Sequence, residues 1–151
     1  MNARTHRLDT NNCTVHAVRH ALAVGYESAH AELARRGRKR YKGMRLGISL
    51  QRDPHLFGRR VELEYYYLRS TNRLSADSPE GARARRYGRP VYPRIRLSTF
   101  MKRNPTGRFI LGIRGHALAL VNGKLSDGTS RHSLLNYAWR VPTLLLPAPR
   151  V

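Results

Sequence analysis

Three residues in this chain are of the types that together perform nucleophilic chemistry: Cys13, His116 and Asp127. In such a set a thiolate attacks a carbonyl carbon and an imidazole takes, then returns, the proton. A carboxylate fixes the ring's tautomer and orientation. Each of the three stands where that work can be done. Asn11-Asn12 precede Cys13, and Val15, Val18, Ala21 and Leu22 then recur at helical spacing, with Gly25 as a stop. That pattern predicts a helix over about Cys13 to Val24 with Asn12 as its N-cap. Cys13 falls in the first turn, where unpaired N–H groups and the positive dipole end favour a thiolate. The Cys13 N–H can also serve as an oxyanion donor. His116 opens an apolar run, and a polar ring in that position needs a reason.

The element that must position His116 is a meander. Phe109 to Ile113 is rich in strand formers, Arg114-Gly115 interrupts it, and Ala117 to Val121 begins a second apolar run. Asn122-Gly123 is a strong type I′ hairpin signal, because both residues tolerate positive φ. Lys124 to Ser126 then returns antiparallel and stops at Asp127, so the turn carries the carboxylate back toward the imidazole.

The rest of the chain reads around these pieces. A second helix is expected over about Glu27 to Arg36, with Ala29, Leu33 and Ala34 inward and Gly37 as its C′ residue. Gly43, Gly47, Pro54 and Gly58 mark residues 43–60 as loop. Val61 to Leu68 alternates as a strand with Tyr65, Tyr66 and Tyr67 half-buried. Residues 70–94 read as a long basic loop or insertion. Ile95 suggests a short strand, Leu97 to Asn104 a helix capped by Ser98, and Leu134 to Val141, with Trp139, a closing strand. The expectation is one α+β domain over residues 1–151. In it a helical hairpin carrying the cysteine packs on a small, mostly antiparallel sheet carrying the histidine and aspartate.

Composition bounds the setting. No apolar run approaches the length of a membrane-spanning helix. Met-Asn-Ala-Arg-Thr-His-Arg carries no apolar h-region behind it, so no secretory signal is expected. A single cysteine fits a reducing, intracellular place. Twenty-nine basic residues against nine acidic ones give a net charge of +20. Such an excess points either to a polyanionic neighbour (DNA, RNA or an acidic assembly surface) or to a composition bias that sets arginine across a solvated surface. Candidate contacts are Arg35, Arg36, Arg38, Lys39, Arg40 and Lys42, with Tyr41 available for stacking, and Arg83, Arg85 and Arg86 in the later basic stretch. The remaining histidines lack metal-ligand spacing, since His16 and His20 lie four apart without the neighbouring Glu of a zinc-protease helix. No metal or cofactor is called for.

The segment Asn11-Asn12-Cys13-Thr14-Val15-His16-Ala17-Val18 resembles the cysteine-helix motif of papain-like cysteine peptidases. The stretch from Ser98 to Asp127, with Gly115-His116-Ala117-Leu118-Ala119-Leu120-Val121 at its centre, resembles their histidine-strand motif. The layout is similar to small bacterial and phage-encoded members such as the peptidase domain of bacteriocin-exporting transporters. The matching blocks cover roughly residues 10–37 and 97–127. The resemblance implies a papain-like fold and a peptidase acting on peptide bonds. Cys13 would be the nucleophile, His116 the general base and Asp127 the orienting residue. It also implies a host-cell cytoplasmic or virion setting. Such enzymes commonly place a Gln before the nucleophile; here the only Gln is Gln51, and Asn11 or Asn12 takes its place. The rival reading is a non-catalytic, basic, virion-associated or nucleic-acid-binding protein on the same scaffold.

Overall fold

A computed structural model of the chain describes residues 12–39, 44–66 and 95–142. Expectations for Asn11, Arg40, Tyr41, Lys42, Tyr67, Arg83, Arg85 and Arg86 lie outside the described residues. The described part is α+β, with four helices and two antiparallel sheets. Helix α1 (Cys13–Leu22) buries Val15, Ala17, Val18, Ala21 and Leu22, the stripe that the three- and four-residue spacing demands. It ends before Gly25, because Ala23 takes a left-handed conformation at φ 54 and ψ 43. Gly25 instead precedes helix α2 (Tyr26–Arg35) as its N-cap. In α2, Ala29 and Leu33 face inward as expected, but Ala34 is exposed and Glu32 is buried in its stead. The Glu32 carboxylate tolerates that place because it accepts hydrogen bonds from Arg35 and from the Phe57 N–H.

The expected loop over 43–60 is in fact helix α3 (Leu46–Arg52) followed by a hairpin, β1 (His55–Leu56) and β2 (Arg59–Arg60). Gly47 does not break α3. A Cβ there would stand 2.8 Å from the ring of Tyr137, so the glycine makes room for a packed aromatic. Strand β3 (Glu62–Tyr66) follows, then helix α4 (Leu97–Arg103) and strands β4 (Arg108–Ile113), β5 (His116–Val121), β6 (Lys124–Leu125) and β7 (Tyr137–Val141). Ile95 and Leu134 are not strand residues; an isolated bridge pairs Arg96 with Leu134. Ser98 does not cap α4, since Arg96 holds the N-cap position and no side chain caps it.

The larger sheet has the order β3-β7-β4-β5-β6, and every pair in it is antiparallel. Strands β4 and β5 are apolar at successive positions because both their faces are covered. Ile110, Ala117, Ala119, Trp139 and Val141 meet α1, α2 and α3 on one face. Phe109, Leu111, Leu118, Leu120 and Ala138 meet Leu97, Phe100 and Met101 of α4 on the other. Burying each large apolar side chain in these layers contributes roughly 1.5–3 kcal/mol. The Phe100 and Phe109 rings meet edge to face at 5.1 Å. Among the described residues no helix is long and apolar enough to cross a membrane.

Candidate active site

His116 is the first residue of β5 and pairs with Ile113 across the Arg114-Gly115 turn. Asn122 and Gly123 take φ 48 and 82, the left-handed pair a type I′ turn requires, and set β6 beside β5. The chain stays beside β5 past the end of β6. Ser126 N–H donates to the Ala119 carbonyl, and Ser126 Oγ accepts from Ala119 N–H, both at 2.9 Å. That return brings Asp127 Oδ2 to 2.5 Å from His116 Nε2. The other carboxylate oxygen, Oδ1, accepts the Thr129 N–H at 2.9 Å, so Asp127 is held at both ends. Burial raises the Asp127 carboxyl, but hydrogen bonds from Thr129 and His116 outweigh it and hold the group below its ordinary value.

Cys13 is half-buried and packs against the core under α1. Helix α1 lies along β5 and β4. Its direction follows from Arg108, whose Nη1 donates to the His20 carbonyl at 3.1 Å and which pairs with Val121 at the far end of β5. The α1 N-terminus therefore points to the end of the sheet where β5 begins. Tyr137 gives the same answer. It pairs with Gly112, and its phenol is pushed up by burial first and then by the neighbouring Cys13 and Tyr66. The ring fills the space above Gly112 so fully that a Cβ there would lie 1.9 Å from it. Cys13, Tyr137, Gly112 and His116 thus share one end of the sheet. His20, two turns along α1 from Cys13, is held below its ordinary value by burial first and then by Arg19, with Asp127 opposing more weakly.

Strand alternation places His116 in phase with Leu118 and Leu120, which face α4, whereas α1 covers the opposite face. The ring meets Asp127 at the β5 edge, past the end of β6. Among the described residues no hydrogen bond joins the Cys13 thiol to the His116 ring.

Asn12 departs from its expected part. It occupies the N-cap position at φ −101 and ψ 21, away from the extended backbone a capping side chain needs, and makes no cap bond. Its Nδ2 instead donates to the Tyr26 hydroxyl at 3.2 Å, fastening α1 to α2.

The basic run divides. Arg36 has a side chain only 4% exposed. It bonds the Ser49 hydroxyl and the carbonyls of Ser49, Asp53 and His55, with a longer contact to the Asp53 carboxylate. Arg36 is an internal brace, which corrects the expectation of a nucleic-acid contact. Arg38 is likewise buried, while Arg35 and Lys39 are exposed. Tyr137, Phe57, Arg45 and Arg52 were not singled out by local pattern; the first is placed by sheet pairing and the others lie in the segment that reads as loop. No family model, curated protein or solved structure matches the chain.

Proposed function

We propose that the protein is a papain-like cysteine hydrolase that cleaves peptide bonds. The observation that most supports this is the His116–Asp127 bond at the sheet end toward which the Cys13 helix terminus points. With Nε2–H donated to Asp127, the His116 Nδ1 is the nitrogen left for proton transfer. The Cys13 sulfur attacks the carbonyl carbon as Nδ1 takes the thiol proton, and the Cys13 N–H steadies the oxyanion. The protonated ring then delivers that proton to the leaving amine. Water, deprotonated by the same nitrogen, displaces the thiol from the thioester and restores the enzyme. The reaction requires Cys13 and His116 to close to hydrogen-bond reach, about 2.6–3.2 Å between heavy atoms for nitrogen and oxygen and somewhat longer for sulfur, in the substrate complex.

The test is hydrolysis of a fluorogenic peptide library, paired with iodoacetamide labelling of Cys13 at neutral pH. Turnover should vanish in Cys13→Ala, and both turnover and labelling rate should fall sharply in His116→Ala. Peptide turnover that survives Cys13→Ala, or labelling indifferent to His116, sinks the reading. The non-catalytic alternative rests on the net charge of +20 and expects no Cys13-dependent turnover at all.

A further inference from the structure

The C-terminal end of α2 and helix α3 line an open cavity of about 620 Å³. Its wall includes Arg35, Arg36, Arg38, Lys39, Arg45 and Arg52, with Asp53 as the acid among the lining residues. The Asp53 carboxylate, held by His55 Nδ1 at 2.8 Å and contacted by Arg36, offsets only one of these six positive charges. Lys39, Arg45 and Arg52 are exposed, and the Arg35 side chain is 63% exposed. Charges of one sign around a concave site focus its potential and attract anions.

The β1–β2 hairpin is tied to two arginines of this cavity's wall, Arg36 and Arg35. Arg36 bonds the carbonyls of Asp53 and His55 at its root. At its tip the Phe57 N–H donates to Glu32, the carboxylate that also holds Arg35. Phe57 and Gly58 take φ 54 and 74, so this turn places an aromatic residue where asparagine is the usual choice. A bulky side chain at positive φ is strained. The ring is nevertheless 38% exposed and outside both core clusters, and the exposed Arg59 and Arg60 follow it. Phe57 thus keeps more than a third of its surface in solvent while holding a strained backbone conformation.

We propose that this face binds single-stranded nucleic acid, with the cavity's exposed cations, Arg35, Lys39, Arg45 and Arg52, on phosphodiester oxygens and the Phe57 ring stacked on a base. The proposal goes beyond the hydrolase reading and holds whether or not Cys13 is a nucleophile. A base presents its face to a protruding ring only when it is out of a duplex stack, which selects single strands. An acidic protein would satisfy the cations but would leave the strained aromatic without a use.

Fluorescence anisotropy of the full chain with labelled oligo(dT) and oligo(U) tests it, alongside a duplex of equal length and unlabelled heparin and poly-glutamate as competitors. Single strands should bind with an affinity that falls as salt rises, and the stronger of the two oligomers identifies the sugar. Phe57→Ala should weaken binding roughly tenfold or more while leaving the salt slope unchanged. Arg45→Ala with Arg52→Ala should reduce that slope by about one to two. Phe57→Trp should keep the affinity, and its emission should be quenched by the oligomer but not by heparin. Thermal melts establish that each variant is folded. Duplex binding as tight as single-strand binding, an unquenched Phe57→Trp, or displacement by poly-glutamate with no measurable oligonucleotide affinity overturns the proposal.

Discussion

Asp127 meets His116 at 2.5 Å although the two stand eleven residues apart, and a hairpin alone makes that contact. Asn122-Gly123 reverses the chain, Ser126 keeps it beside Ala119, and the Thr129 N–H fixes the free carboxylate oxygen. The pair is therefore built by local backbone geometry and needs no distant element to hold it.

Replacing Asp127 separates an orienting role from a turn-forming one. Asp127→Asn keeps an acceptor for the ring and for the Thr129 N–H, so turnover and Cys13 labelling should fall by no more than about tenfold; Asp127→Ala should cost about a hundredfold or more. Both variants should stay within about 1 kcal/mol of wild-type stability. Equal behaviour of the two in peptide hydrolysis would leave Asp127 as a turn residue only.

The same carboxylate sets a pH dependence. Its folded value lies below the ordinary 3.8, so the native state favours the ionised form. Its stabilising contribution is fully present above that ordinary value and is lost as pH falls through the lower, folded one. The melting-temperature gap between wild type and Asp127→Asn should be flat from about pH 7 to about pH 5 and shrink below that. Melts in a pH series would contradict the assignment if the gap stayed constant into strong acid.

Gly112 is required by its neighbour. Gly112→Ala should destabilise by about 1–3 kcal/mol, because the new methyl collides with the Tyr137 ring. In a Tyr137→Ala background the same change should cost far less, a coupling that denaturant melts of the double-mutant cycle would read. Additive effects would show that the collision is relieved by backbone shift.

Arg36→Ala should cost on the order of 2–4 kcal/mol, since three carbonyls lose a charged donor inside the protein. Arg36→Lys should recover little, because one ammonium cannot span Ser49, Asp53 and His55 as a planar fork does. Chemical denaturation checks both, and a near-neutral Lys variant would refute the brace.

Much of the candidate site was legible because its signals are short-range. Helical spacing from Val15 to Leu22 marks α1, and the positive-φ pair Asn122-Gly123 dictates the return that carries Asp127 back to His116. Those choices are decided by residues a few positions apart, where backbone sterics and side-chain period act directly. What local pattern missed depended on partners far along the chain. Gly47 looked like a breaker because its reason, the Tyr137 ring, arrives only when β7 enters the sheet. Arg36 looked like a surface charge because the carbonyls that bury it belong to α3 and the hairpin. Asn12 looked like a cap until Tyr26 of α2 took its amide. The sequence by itself determined the helix that carries Cys13, the strand that carries His116 and the turn that returns the carboxylate. The tertiary structure alone decided that β7 runs between β3 and β4, which sets Tyr137 beside Cys13 and gives Gly112 its purpose. Strand order follows from burying both faces of the sheet at once, a condition on the whole chain that no window of neighbouring residues contains.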